Sequence, residues 1–424
     1  MKRYFLLSLL IFLLIFVGLA ALSGAVLVLA IPLIIYLGAG LLFQPEATQL
    51  NVVRHLTATY VDAYEPVVVK VTILNTGPSL EEVYIEDLVP ESLTLIEGQP
   101  GRLTSLPAGR QIQLTYTLIG PRGSYHFTGL RISASDRLGI FTKEKVVPAR
   151  GRLLVLPEVI KLRRIVIRPT QTRVYSGLIP TRQGGPGVEF FGVREYQPGD
   201  PLRWINGRAS ARHLNQLFIN EFQQERMADV GLILDAREQS NVYAPEGSLF
   251  EYAVQATAAL AGEFLNASNR VGLFIYGDTL DWTYPGYGKI QRQRILWALA
   301  RAAPSASEVF AKLEHLPTRL FPARSQLVFI SALQPGDAEV LVKLRARGYQ
   351  LLVVSPNPIL FERKSLGVGM DIEMATRIAH LERALLLGKL QQAGIQVLDW
   401  PVETPFQQAV PLAMSRVQSW NYPL

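Results

Sequence analysis

The stretch VGLILDAREQS, residues 230–240, joins a continuous apolar run to Asp235 and then to a polar loop. In one large class of α/β domains an aspartate at such a strand end, followed at two-residue intervals by two serines, holds a divalent cation. Magnesium requires near-octahedral oxygen ligation. Here the serine positions are Arg237 and Gln239, and the later strand LVFIS runs into Ala332 where a second aspartate would stand. Three oxygen donors are thus replaced, one of them by a fixed cation. At about 6 Å and an effective dielectric of about 20, a guanidinium repels a divalent ion by roughly 5 kcal/mol. These residues predict a degenerate site with no tight metal, in which Arg237 either swings outward or pairs with Asp235 or Glu238 as a built-in positive charge.

Other chemistry is sparse. His55, His126, His213, His315 and His380 stand far apart, with no H-E-x-x-H pair. There is no G-x-S-x-G elbow. GYGKI around Lys289 lacks the earlier glycine and the following Ser or Thr of a phosphate loop, and Gly185 and Gly187 begin a dinucleotide-like pattern that ends in Phe190 with no strand before it. Asp278 and Asp281 straddle a hairpin-like turn, where solvated acids are ordinary. The chain has no cysteine, which excludes disulfides, thiol nucleophiles and cysteine-ligated metal. No cofactor and no catalytic residue are expected.

The elements that would position Asp235 can be read from hydrophobic period. Charged residues make up 18% of the chain and hydrophobic ones 49%, and the apolar excess is concentrated at one end. From Tyr4 to Phe43 there is no charged side chain. Since one bilayer crossing takes about 20 apolar residues, the run predicts two membrane helices with a turn near Leu22 to Gly24. Lys2 and Arg3 then place the remainder on the cytoplasmic side. The competing reading is a secretory signal, Lys2-Arg3 and an apolar core followed by GLAALSGA. From Ala47 to Pro157 apolar and polar residues alternate, as at Ile112, Leu114, Tyr116 and Leu118. Turn signals at Asn75-Thr76-Gly77-Pro78, Gln99-Pro100-Gly101, Pro107-Ala108-Gly109 and Pro121-Arg122-Gly123 punctuate the stretch. An antiparallel β-sandwich is expected there. From about residue 228 to the end, fully apolar strands alternate with helices, which indicates a doubly wound parallel sheet covered on both faces. Ligands of such sheets bind beyond the carboxyl ends of the strands, where Asp235 lies.

Residues 158–227 connect these regions. Between Lys161 and Arg226 there are eleven Lys and Arg against five Asp and Glu. The basic residues do not gather on one short helix, so nucleic acid is not expected; a solvated linker beside an anionic membrane and a docking surface for an acidic partner both remain open. Phe190, Phe191, Tyr196, Trp204, Phe218 and Phe222 are too many aromatics to leave in water, so the segment is expected to pack on its neighbours. Glu189, Asp200, Arg194, Arg203 and Arg212 are expected to form charge-assisted pairs that fasten it, with Asp200 as a helix cap. The alternative makes Arg203, Arg208 and Arg212 a partner-binding face.

The run GVEFFGVREYQPGDPLRWINGRASAR followed by ERMADVGLILDA, together with PRGSYHFTGLRISASDRLGIF, resembles the domain of unknown function 58 family. Glu189, Phe190, Arg194, Tyr196, Gly199, Asp200, Arg203 and Arg212 carry the resemblance. It implies a membrane hairpin, a β-sandwich and a domain like von Willebrand factor type A. It also implies a partner, a MoxR-type AAA+ ATPase, in maturation or assembly of other proteins. The sequence therefore leads to a membrane-anchored, non-enzymatic scaffold or adaptor, against two alternatives: a metal-dependent adhesion protein and an unrecognised carboxylate-based hydrolase.

Overall fold

The computed structural model describes residues 3–42, 49–135, 141–162, 179–213, 216–226, 228–245, 247–277, 281–306, 312–316, 321, 325–367 and 369–415. The side chains of 3, 41–42, 179–189, 223–226, 315 and 411–415 lie outside that description. Two compact units divide the chain, Met1–Leu156 and Pro157–Leu424.

The first unit opens with helices α1 (Arg3–Ala20) and α2 (Gly24–Leu42). Their turn falls where Ser23 and Gly24 predict it: the Ser23 amide donates to the Gly18 carbonyl at 3.0 Å, and Leu22 adopts a φ of 47°. Gly18 also allows the helices to approach, because a Cβ there would lie 2.8 Å from Leu27 Cδ2. Among the described residues, no helix is long and apolar enough to cross a membrane. The expected transmembrane hairpin is therefore not supported; α1 and α2 are seen as a helical hairpin.

Nine strands follow: β1 (Leu50–Leu56), β2 (Tyr60–Asp62), β3 (Val67–Asn75), β4 (Leu80–Asp87), β5 (Thr94–Gly98), β6 (Gly101–Leu106), β7 (Gln111–Ile119), β8 (Gly123–Ser135) and β9 (Thr142–Leu156). They form sheets of order β1–β3–β7–β5 and β2–β9–β8–β4–β6. Inward residues of both sheets, among them Val69, Val71, Leu114 and Leu118 from one and Val83, Ile85, Ile132 and Leu153 from the other, make one core. The expected antiparallel arrangement has an exception, since β2 pairs with β9 in parallel. The cause is the three-residue link after β1, which carries the chain into the other sheet instead of turning it back. Turn chemistry closes the loops as predicted: Asn75 Oδ1 accepts from the Gly77 amide at 3.0 Å, and its Nδ2 donates to Pro78 and Leu106 carbonyls.

A buried ionic group within this sandwich left no periodic signal. The Arg54 guanidinium grips Asp87, with both side chains fully buried, and Tyr116 donates its hydroxyl to the same carboxylate at 2.5 Å. Phe127 lies 4.6 Å beneath the guanidinium. Burial first, and then the charge of Asp87, raise the Tyr116 hydroxyl well above its ordinary value.

In the second unit, β10 (Ile179–Glu195) and β11 (Phe218–Arg226) form an antiparallel ribbon with the short helix α3 (Gly207–Ser210) between them. Then come β12 (Asp229–Asp235), a small hairpin of β13 (Tyr243–Ala244) and β14 (Gly247–Ser248), α4 (Leu249–Asn266), β15 (Arg270–Tyr276), β16 (Asp281–Gly286), α5 (Gly288–Arg301), β17 (Gln326–Ile330), α6 (Asp337–Ala346), β18 (Gln350–Pro356), α7 (Pro358–Arg363), α8 (Met370–Gln392), β19 (Gln396–Trp400) and α9 (Phe406–Ser415). The sheet order is β16–β15–β12–β17–β18–β19, parallel apart from the antiparallel edge β16. Every residue of β12, β15 after Arg270, and β17 is buried, which is why those runs read as continuously apolar. Gly348 and Gly394 close α6 and α8 at φ values of 93° and 74°, as their positions predict. The edge strand β16 escaped the sequence reading because its DWTYPG is half-exposed and short.

Removing one partner of a buried ion pair strands the other charge, at about 3–5 kcal/mol. Asp87→Ala is expected to lower the unfolding midpoint of the β signal in far-ultraviolet circular dichroism accordingly, and an unchanged midpoint would show that the group contributes nothing.

Candidate functional site

The chain leaves β12 for β15 on one side and later enters β17 on the other. Such a reversal parts the loops that follow β12 and β17 and leaves a crevice beyond their carboxyl ends. Asp235 ends β12 within it. Its Oδ1 accepts from the Arg237 backbone amide at 3.1 Å, which turns the chain sharply and sends the Arg237 side chain back over the strand end. Arg237 Nε then donates to Asp235 Oδ1 at 2.8 Å and Nη2 to Oδ2 at 2.7 Å. On its far edge the guanidinium meets Asp337, the first residue of α6: Nη1 donates to Oδ1 at 3.1 Å and Nη2 to Oδ2 at 2.7 Å. The three side chains are 3%, 0% and 4% exposed for Arg237, Asp235 and Asp337, so the cluster is sealed from water.

The surrounding loops complete it. Ser331 donates its hydroxyl to Asp235 Oδ2 at 2.5 Å and accepts from the Leu333 amide at 2.9 Å. The Gln334 amide donates to Asp337 Oδ2 at 2.8 Å. Leu333 adopts a φ of 68°, a conformation that costs a non-glycine residue about 1 kcal/mol and persists where its surroundings impose it. The Gln239 carbonyl accepts from the Gln334 side chain. On the other side of the loop, the Glu238 amide donates to the Ser305 carbonyl and the Ser305 amide to the Ala236 carbonyl, both at 2.9 Å.

Electrostatically the cluster holds two carboxylates against one guanidinium. Burial alone would lower the Arg237 pKa, but its hydrogen bonds to Asp235 and Asp337 and their charges more than reverse this and raise it. Burial raises the Asp337 carboxyl, and Arg237 opposes that rise. Tyr276, beside Asp235 in the sheet, is pushed by burial up to about 12. Asp337 also sits at the amino end of α6, where the helix dipole favours negative charge. A divalent cation does not fit this donor set, since every oxygen of both carboxylates already accepts from the guanidinium, and an ion would have to displace it.

Ala332 takes part through its backbone. Its carbonyl accepts from Nη1 of Arg383 at 3.0 Å, while Nη2 of Arg383 reaches Ser355 Oγ at 2.9 Å and Asp399 Oδ1 at 2.8 Å. Asn357 caps α7 through its oxygen and donates its amide to the same Asp399. A second arginine thus joins the carboxyl ends of β17, β18 and β19. The sequence did not foresee that Asp337 pairs with Arg237, nor did it mark Arg383 as a site residue. Asp337 lies 100 residues from its partner, visible only as the acid opening a helix after Pro335-Gly336. Arg383 carried a detectable signal, a charge in register with the inward positions Leu387 and Leu390 of α8.

The connecting motif is arranged differently from expectation. Arg194 and Asp200 form a bidentate pair at 2.8 and 2.7 Å, and Arg194 also reaches Glu221 at 3.4 Å. Asp200 does not cap a helix; its Oδ2 accepts from the Gln197 amide at 2.8 Å, closing the Gln197–Asp200 turn that Pro198 and Gly199 permit. The cap of α3 is Asn206, which accepts from Ala209 at 3.0 Å. Tyr196 is half-buried, with its amide on the Leu217 carbonyl. Arg203, Arg208 and Arg212 are exposed and form no ion pair among the described residues; Arg203 lies 5.8 Å from the Trp204 ring. The Glu189 side chain and Asp278 lie outside the described residues. Nor are the aromatics all packed away: Trp204 meets Phe222 at 5.5 Å, but Phe190 and Phe191 are 59% and 42% exposed. A two-stranded ribbon buries little of either face against itself, so these two rings stay in water.

A cavity of ≈ 70 Å³ lies between Ala236, Gly277, Asp281, Arg301 and Ser305. That is well below the roughly 300 Å³ at which small-molecule sites begin.

Residues 192–357 match the family model described as "Protein of unknown function DUF58". The "Uncharacterized protein YeaD" of Bacillus subtilis (strain 168) is 28% identical over 252 residues, which are 58% of this chain and 60% of that protein. The chain thus spans less than two thirds of the length of this curated relative. Among solved structures, the CARDB domain of the PF1109 protein from Pyrococcus furiosus, described as in complex with di-metal ions, is 16% identical. The match covers 26% of this chain and 90% of that one, with a TM-score of 0.18. A non-cellulosomal cohesin from Archaeoglobus fulgidus is 14% identical over 26% of this chain and 91% of that one, with a TM-score of 0.19. At such scores neither likeness bears on the site.

Two outcomes are expected. Arg237→Ala leaves two buried carboxylates face to face, destabilising by about 3–5 kcal/mol. A carboxyl whose folded pKa is raised contributes stability that is fully present below its unfolded value of about 3.9 and is lost as pH rises through the folded value. Loss of Arg237 raises Asp337 further, so this variant recovers stability as pH falls below neutral, read by tryptophan fluorescence during urea unfolding. For Asp200, the Arg194 hydrogen bonds and then the Gln197 amide hold the carboxyl below its ordinary value. Its contribution is therefore present above that value and lost as pH falls through the folded one. Carboxyl carbon NMR is expected to show a depressed midpoint that Arg194→Ala moves up towards the ordinary value, with the Gln197 amide keeping part of the depression.

Proposed function

We propose that the protein is a membrane-anchored, non-enzymatic scaffold or adaptor that presents its α/β domain to protein partners. The observation that carries this is the Arg237 guanidinium held between Asp235 and Asp337. It fills the strand-end crevice where a ligand or ion would otherwise bind, so the rim offers fixed shape and side chains in place of an open coordination site. The strand order with one antiparallel edge supports reading the domain as von Willebrand factor type A-like. The helices α1 and α2, apolar beyond Arg3, support a bilayer anchor with the domains on the cytoplasmic side. The partner suggested by the family resemblance is a MoxR-type AAA+ ATPase. The exposed Arg203, Arg208 and Arg212 suit an acidic surface on it.

The test is co-purification of an AAA+ ATPase with the tagged full chain from cross-linked native membranes, expected for the wild type and weakened by joint Arg203→Glu, Arg208→Glu and Arg212→Glu. Its absence after cross-linking would remove the adaptor reading. Micromolar manganese binding by calorimetry, abolished by Asp235→Ala, would instead favour metal-dependent adhesion.

A further inference from the structure

The helix α8 carries two apolar seams on opposite sides. Its only buried residues are Arg383, Leu387 and Leu390, all in the carboxyl-terminal half. They continue an inward line through the partly buried Ile372, Thr376 and Ala379. Two positions further along each turn, about 200° around the helix, a second line runs through Met374, Ile378, Leu381 and Leu385, which are 56%, 51%, 67% and 75% exposed. Met370 extends it at 84%. Single exposed apolar residues are ordinary, whereas a contiguous line of five marks an interaction surface.

The spacing of this outer line is four, three and four residues, the alternation of a coiled-coil seam with Met374 and Leu381 at d and Ile378 and Leu385 at a. Ile378 at a with Leu381 at d is the combination that favours two parallel strands, while Leu385 and Met374 fill the remaining a and d positions. In that register Arg377 occupies g and Glu382 the following e, the pair that meets across a parallel dimer. Arg377 is exposed and, among the described residues, pairs with the exposed Glu373 of its own helix at 2.7 Å. Glu382 is exposed and forms no ion pair among the described residues. A lipid surface is disfavoured, because membrane-lying helices are rich in Lys and Arg on their polar face. Here Asp371, Glu373 and Glu382 stand against Arg377 and Lys389, with Arg383 buried.

We infer that the outer seam of α8 docks a second copy of this chain as a short parallel coiled coil, with Arg377 of each copy on Glu382 of the other. Pairing the four seam side chains, flanked by Met370 at g, removes on the order of 1,000 Å² from water, the lower end for a specific interface. The dimer therefore forms reversibly in the micromolar range.

Sedimentation velocity of the full chain in detergent is expected to show the protein mass doubling with concentration. Leu381→Glu raises the dissociation constant by about tenfold or more while leaving the circular dichroism melt unchanged, since the residue is exposed. Arg377→Glu and Glu382→Arg each weaken dimerisation by about threefold, and the double reversal restores it. Because the chain has no cysteine, Met374→Cys supplies a single thiol that meets its own copy only in the parallel register, and mild oxidation yields a covalent dimer. A chain that stays monomeric at about 100 μM, or a dimer indifferent to Leu381→Glu, would overturn the inference. Failure of Met374→Cys to cross-link in a dimer that Leu381→Glu disrupts would overturn its parallel form.

Discussion

Two ionised carboxylates in a dry crevice repel each other unless a cation stands between them, and in this protein the cation is covalently part of the chain. Arg237 stands two residues after the first acid and reaches the second across 100 positions of sequence. By doing so it joins the end of β12 to the loop that launches α6. A bound ion would leave the site's order dependent on concentration; a guanidinium fixes it permanently, with planar geometry that suits two carboxylate edges at once. The closed hydrogen-bond set around it, from Ser331, Leu333 and Gln334, leaves each charge satisfied, which a buried ionic group requires if it is not to unfold the domain.

The same device recurs at other points of the chain. Arg54 holds Asp87 and Tyr116 inside the sandwich, and Arg383 gathers three strand ends with Asp399. At each place an arginine joins segments distant in sequence where apolar packing gives way to loops. In a chain without cysteine, arginine-carboxylate pairs do the cross-linking that disulfides or metals do elsewhere. Such pairs are specific in geometry more than they are strong in net energy. Their consequence here is precise loop placement at the rim proposed to face partners. The ribbon of β10 and β11 is built on the opposite balance, with Arg194 and Asp200 securing one turn while Phe190, Phe191 and three arginines remain in water.

How much of this was legible follows from the range of each interaction. Elements set by local period came through: the apolar strands around Leu232 and Val328, the helix over residues 249–266, the glycine stops at 348 and 394, and the Asn75 turn. The pairing of Arg237 with Asp235 was within reach, being a contact across two residues. Expectations failed where a residue's role depended on what lay opposite. Asp200 looked like a cap because it follows Pro198-Gly199, yet its carboxylate is taken by Arg194. The aromatics of the connecting segment looked destined for a core, but a ribbon offers only one neighbour.

The sequence by itself determined the alternation of strands and helices, the sandwich before them, and the replacement of metal-ligating side chains by Arg237, Gln239 and Ala332, because composition and short-range spacing carry those facts. Only the tertiary structure decided that Arg237 is shared with Asp337, that Arg383 ties the neighbouring strand ends, and that one face of α8 is left bare. Those outcomes depend on which segments the sheet order brings together, and no local pattern encodes the distance between residues a hundred positions apart.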